Sequence, residues 1–157
     1  MAKSIGKIFE EEIKDSFPAT VYVERYKDDT SRFKGVDNPA DFRAYIYPYT
    51  LLIECKSHKG KSFPLSKIRK NQIEGLKKAV QYPGIIGGFF INFRELEETY
   101  YIPVGSVDKF ITAGHRKSIP VSWCRAYGQR IEQTKKRVRY SYDLNKWLGG
   151  YYNDQSK

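Results

Sequence analysis

The run Ile85–Phe93, IIGGFFINF, constrains this chain more than any other stretch. It carries no charge, follows the turn Tyr82-Pro83-Gly84, and reads as a central strand buried on both faces. Gly87 and Gly88 within it suggest close approach of a helix or another backbone. Such a strand needs other strands beside it and helices over it. Thr20–Tyr26 and Thr99–Val104 read as strands. Ile5, Ile8, Phe9, Ile13 and Phe17 recur at helical spacing, which predicts a helix over 4–17 with Ser4 as N-cap and Pro18 as its stop. A second helix is expected over Ser66–Gln81, capped by Ser66, with Ile68, Ile73, Leu76 and Val80 inward. Gly105–Ala113 reads as a short helix and Asp143–Leu148 as a last helical turn. The expectation is an α/β fold, a mixed central β-sheet flanked by helices. It forms one domain over 1–148, followed by a polar tail over 149–157.

The 157 residues carry a formal net charge of +10, which favours a polyanionic partner, nucleic acid before membrane. A merely soluble basic protein is the alternative that charge alone leaves open. No run of 18 apolar residues is present, so no membrane-spanning helix is expected. The start, MAKSIGKIFEEE, turns acidic at once and has no apolar signal-peptide segment, and Cys55 and Cys124 imply no disulfide framework. A cytoplasmic location follows as the expectation. Two His and two Cys at no ligand spacing argue against zinc.

Chemistry concentrates in Val36–Lys56, VDNPADFRAYIYPYTLLIECK. Asp41 follows Pro39-Ala40, and twelve residues later comes the triplet Glu54-Cys55-Lys56. The interval is aromatic and β-branched, split by Pro48-Tyr49 into two short strands. On a strand Glu54 and Lys56 point the same way. In a hairpin Asp41 comes near Glu54, so two carboxylates and an ammonium converge, an arrangement suited to a hard divalent cation and a positioned water. Asp37 is a rival ligand, although Asp before a strand often serves the turn.

Basic residues surround this stretch. Arg25, Lys27, Arg32 and Lys34 precede it, and Lys59, Lys61, Lys67, Arg69 and Lys70 follow it. Cations at a helix start oppose the helix dipole, so a phosphate partner would account for the last three; a solvated basic turn is the alternative. His58 reads as a loop residue. The segment 114–140 is basic, and Lys135–Tyr140 with Tyr142 interleaves cations with aromatics, fitting a backbone-tracking surface or a solvated edge strand. On the first helix, Glu10 lies at the edge of the apolar arc, Glu12 inside it and Glu11 outside, and periodicity does not choose between Glu10 and Glu12 as a site acid.

Asp41, Glu54 and Lys56 in this pattern resemble the PD-(D/E)XK nuclease superfamily. Lys61-Ser62-Phe63-Pro64-Leu65 followed by Asn71-Gln72-Ile73 is similar to the RecU-type Holliday junction resolvases, which carry K-S-F-P-L and then a helix with H-Q-I. Gly6-Lys7-Ile8-Phe9-Glu10 resembles that family's first helix, and Arg116-Lys117-Ser118-Ile119-Pro120 a late segment. The resemblance implies an Mg²⁺-dependent endonuclease of DNA recombination and repair that resolves four-way junctions by paired symmetric nicks, hence a homodimer. Related superfamily nucleases on other branched or duplex DNA, and a non-catalytic junction binder, are the rival readings. By resemblance, Asp41, Glu54 and the Cys55 backbone carbonyl bind the metal (Mg²⁺, with Mn²⁺ as substitute, whereas Ca²⁺ binds without turnover). Lys56 positions the water, Glu10 is the extra acid, and Gln72 lies near the active site. RecU-type proteins insert a long stalk before the P-x-D segment. Here that interval is short, which points to a bacteriophage or mobile-element version.

Overall fold

The computed structural model describes residues 2–26 and 40–153. Lys27, Arg32, Lys34, Asp37 and the short interval that stands where the stalk would be lie outside the described residues. Five helices and ten strands follow in order. They are α1 (Ile5–Ser16), β1 (Tyr22–Arg25), β2 (Phe42–Ile46), β3 (Tyr49–His58), β4 (Ser62–Pro64), α2 (Lys70–Ala79), β5 (Ile85–Phe93) and β6 (Glu98–Pro103). Then come α3 (Val104–Ala113), β7 (Ser118–Pro120), α4 (Val121–Tyr127), β8 (Gln129–Ile131), β9 (Gln133–Lys136), β10 (Arg139–Tyr142) and α5 (Leu144–Asn153).

The main sheet has the order β1-β2-β3-β5-β6-β8 and is mixed. β3 and β5 are parallel, joined by a crossover through α2, and the other pairs are antiparallel. β5 is central, as its apolar run predicts: Phe89, Ile91 and Phe93 point to one face and Phe90 to the other, all fully buried. Two cores result. Phe9 and Ile13 of α1, Phe17 just after it, and Trp147 and Leu148 of α5 pack on the face that carries Ile53, Cys55 and Phe90. Ile73 and Leu76 of α2, Val107 of α3 and Cys124 of α4 pack on the face that carries Leu52, Phe89 and Ile91. Of the described phenylalanines all but Phe110 are buried, whereas Tyr22, Tyr45, Tyr47, Tyr82, Tyr127 and Tyr152 remain exposed.

Several elements differ from the sequence reading. α2 begins at Lys70, because Leu65–Lys67 forms a separate 3-10 turn and Arg69 takes the N-cap in place of Ser66. Gln72 drives this start, since its side-chain oxygen accepts from Arg69 N at 3.0 Å. The basic segment after Gly114 is not one surface: it holds α4 and the antiparallel ribbon β9–β10. Tyr142 points inward, edge-on to Phe9 at 5.5 Å, and Tyr140 is half-buried beneath Arg94, so these rings do not form an open stacking platform. The tail expected from Gly149 instead continues α5 to Asn153, because Tyr151 packs on Tyr49 and Trp147.

A Cβ at Gly88 would lie 2.6 Å from the Ile102 carbonyl oxygen and 2.7 Å from the Tyr101 hydroxyl, whereas one at Gly105 in α3 would meet nothing within 4 Å. Gly88→Ala is therefore expected to cost about 1–3 kcal/mol by overpacking. Gly105→Ala is expected to be neutral or stabilising by up to about 1 kcal/mol, since alanine replaces glycine in a helix. Urea denaturation midpoints of the two variants check the contrast.

Candidate active site

β3 outruns β2, and this offset creates the site. Their ladder ends at Phe42↔Ile53, while β3 continues to His58. Asp41 caps the gap: its N–H donates to Ile53 O at 3.0 Å, and its Oδ2 accepts from Cys55 N at 2.8 Å. The carboxylate thus substitutes for the next ladder acceptor. In a strand the N–H and C=O of one residue face the same neighbour, so the Cys55 carbonyl faces the Asp41 side as well.

Alternation along β3 sends Glu54 and Lys56 to the α2 face and Cys55 to the opposite core. Lys56 Nζ lies 3.2 Å from Glu54 Oε1, and Gln72 Nε2 donates to the same oxygen at 2.7 Å. Gln72 is held in turn by its bond from Arg69 N, so the start of α2 fixes the Glu54 rotamer. Burial pushes the Cys55 thiol up, reinforced by Asp41 and Glu54, so its sulfur stays protonated and only its backbone is available to an ion.

The structure separates the acids of α1. Glu10 pairs with Arg25 at 2.9 Å, and its charge adds to the upward push on the Asp41 and Glu54 carboxyls. Glu12 is buried and fully engaged elsewhere. Arg94 donates to both its oxygens at 2.6 and 3.1 Å, and Tyr140 N donates to it at 2.8 Å. Among the DNA-binding candidates, Lys59, Lys61, Lys67, Arg69 and Lys70 are exposed, and Lys67 Nζ lies 3.0 Å from His58 Nδ1. Arg25 is committed in part to Glu10. His58 belongs to the end of β3 rather than a loop.

Sequence reasoning missed a buried polar chain behind the site. Ser57 Oγ donates to Asn92 Oδ1 at 2.6 Å, Asn92 Nδ2 to Thr99 Oγ1 at 2.9 Å, and Thr99 Oγ1 to Gln133 Oε1 at 2.8 Å. The only hint was Asn92 inside an otherwise apolar run. The chain ties the residue after Lys56 through β5 and β6 to β9.

Electrostatically the site is deficient in positive charge. Burial pushes the Asp41 carboxyl up to about 7, with repulsion from Glu54 and Glu10 adding to it and the Cys55 N–H and Lys56 opposing. Burial also raises Glu54, against the pull of Lys56. Clustered oxygen donors of this kind suit a hard divalent cation, which would relieve the repulsion. No three of the described His, Cys, Asp and Glu side chains converge on one point. An ion here would take Asp41 and Glu54 and fill its remaining positions from the Cys55 carbonyl and water, as Mg²⁺ commonly does.

The raised Asp41 sets a pH dependence of folding without metal. Its folded-state value of about 7 lies above the ordinary 3.8. The stability it permits is whole below about pH 4, falls as pH rises, and levels off above about 7. Asp41→Asn keeps an acceptor for Cys55 N. It is expected to match the parent at pH 4 and to exceed it by about 2–4 kcal/mol at pH 8 in chelator. Denaturation at the two pH values measures the difference.

The family model for recombination protein U matches residues 6–146. The SPbeta prophage-derived protein YotM of Bacillus subtilis (strain 168) is 33% identical, over 94% of this chain and 87% of that protein. The Holliday junction resolvase RecU of Staphylococcus aureus (strain JH9) is 32% identical over 69% of this chain and 54% of its own length, so the chain spans about half of that relative. Among solved structures, the Holliday junction resolvase Hjc of Archaeoglobus fulgidus superposes with a TM-score of 0.53 at 19% identity, covering 80% of this chain and 95% of that one, a likeness of fold.

Proposed function

The chain belongs to the recombination protein U family, and on that premise we propose that it is a divalent-metal-dependent endonuclease that resolves four-way DNA junctions. The observation that carries the reading is the carboxylate pair Asp41 and Glu54 with Lys56 3.2 Å from Glu54, on a strand that a basic loop and helix start follow directly. Mg²⁺, or Mn²⁺ in its place, is held by Asp41, Glu54 and the Cys55 carbonyl, with Glu10 as the additional acid. The ion supplies Lewis acidity toward the phosphoryl group and its attacking water. Lys56 brings an ammonium to the same edge, where it orients the water and offsets charge developing on the phosphoryl oxygens. Gln72 holds the Glu54 carboxylate in one orientation through its 2.7 Å bond. Lys59, Lys61, Lys67, Arg69 and Lys70 grip phosphates beside the scissile bond, joined by Arg25 and by Lys27, Arg32 and Lys34 outside the described residues.

A single nuclease domain working in the cytoplasm suits this activity, and none of the described helices is long and apolar enough to cross a membrane. Paired symmetric nicks require two sites, so the active form is a homodimer. Exposed Tyr22 and Tyr45 lie opposite each other on the edge pair β1–β2, with exposed Tyr47 in the turn from β2 to β3, and offer an aromatic patch for the contact. Light scattering without DNA at micromolar concentration is expected to report a dimer; a monomer would count against it.

With Mg²⁺, labelled four-way junctions are expected to be nicked and linear duplex spared. Glu54→Gln and Asp41→Asn are expected to abolish nicking, a loss of at least about a hundredfold, while junction affinity holds because phosphate contacts dominate it. Nicking by either variant at the parental rate would remove the metal assignment. Equal cutting of linear duplex would assign another substrate, and binding without nicking would make the protein a non-catalytic junction binder.

A further inference from the structure

The ribbon β9–β10 takes no part in the site, yet it is built as a projecting cationic tip. Lys136 pairs with Arg139, and Arg137-Val138 forms a two-residue turn between them. Residues 134–139 are all exposed. Its root is fixed from several sides. Tyr140 N donates to Glu12 at 2.8 Å, Tyr142 N to Ser16 Oγ at 3.0 Å, and Thr99 Oγ1 to Gln133 at 2.8 Å. The ribbon is therefore a rigid arm rather than a loose loop.

Three features at the tip run against stability. Arg137 has a φ of 45°, in the left-handed region that favours glycine. Val138 is 83% exposed, the most exposed large apolar side chain among the described residues. Among the described residues, Lys135, Lys136 and Arg137 form no salt bridge, and Lys135 lies 6.0 Å from the centroid of the Tyr140 ring. A tip selected only for folding would carry glycine and polar residues there.

The root of the ribbon also reaches α1, which carries Glu10. Arg139 reaches Glu11 at 3.0 Å, and Glu11 is the next residue after Glu10. The carboxylates and the ribbon root therefore sit well within one duplex turn, about 34 Å. A two-stranded ribbon fits the major groove of undistorted duplex, about 12 Å wide, better than the minor groove at about 6 Å.

We propose that the β9–β10 ribbon enters the major groove of a duplex arm, with Lys135, Lys136 and Arg137 on the flanking phosphates and Val138 at the groove floor. The inference rests on the reading of the protein as one that acts on DNA. It adds an arm-binding element that reads groove shape beside the scissile phosphate.

The test uses the full chain and two variants, Lys136→Gln with Arg137→Gly, and Val138→Ser. Arg137→Gly relieves the positive φ, so the double variant is expected to melt no lower than the parent. Affinity for a short linear duplex is titrated in Ca²⁺ at several salt concentrations. The double variant is expected to bind roughly tenfold more weakly, with the log–log salt slope reduced by about 1.8. Val138→Ser is expected to bind about threefold more weakly with the slope unchanged, since it removes apolar contact and no charge. Single-turnover junction cleavage at saturating enzyme should stay at the parental rate for both. Parental affinity and slope in both variants would overturn the proposal, and so would a loss confined to four-way junctions, which would put the tip at the branch point. Duplex binding needs no cleavage, so a parent that cuts no junction would refute the proposed activity and leave the groove contact to be judged on its own data.

Discussion

The Asp41 carboxylate bound to the Cys55 N–H is the contact on which the rest of the site depends. β2 stops one residue short of where the ladder needs its next acceptor, and a side-chain oxygen 2.8 Å from the amide supplies it. That bond positions one carboxylate at the edge of β3, where Glu54 and the Cys55 carbonyl also emerge. It also fixes the cost. Asp41 is desolvated beside two other carboxylates, and its acidity is weakened accordingly. A cation bound at this edge would relieve that cost.

Three consecutive acids on α1 divide the work. Glu10 pairs with Arg25 at 2.9 Å. Glu11 meets Lys3 and Arg139 at the surface, an exposed arrangement of little energetic weight. Glu12 is buried under Arg94 and the ribbon's Tyr140 amide, where loss of either charge would leave the other unpaired. One helical turn thus carries both the acid paired with Arg25 and the acids that hold the β9–β10 ribbon.

Much of the fold was legible because it is written in local pattern. The β5 run, the α1 periodicity with its Ser4 cap and the helix approach at Gly87 were read from neighbouring residues and appear as expected. So was the shared direction of Glu54 and Lys56, which needs only strand alternation. What stayed hidden depends on distant partners. Glu12 finds Arg94 82 positions away, so periodicity left it level with Glu10. Ser66 looked the better cap until Gln72 folded back on Arg69. α4 has seven residues, too few for a periodic signal, and the ribbon's tyrosines look like a surface motif until Phe9 packs on one of them. Likewise, α5 passes through Gly149-Gly150, a local stop signal overridden by the packing of Tyr151.

Whether Asp41 and Glu54 with the Cys55 carbonyl seat a divalent cation is tested, without reference to DNA or turnover, by Mn²⁺ binding to the metal-free protein. Titration calorimetry, with free Mn²⁺ counted by its paramagnetic resonance signal, should show saturable binding that releases protons near pH 7, where Asp41 is part-protonated. Binding should disappear in Glu54→Gln while the variant keeps its fold by circular dichroism. Absence of saturable binding in the parent, or unchanged binding in Glu54→Gln, would contradict the claim.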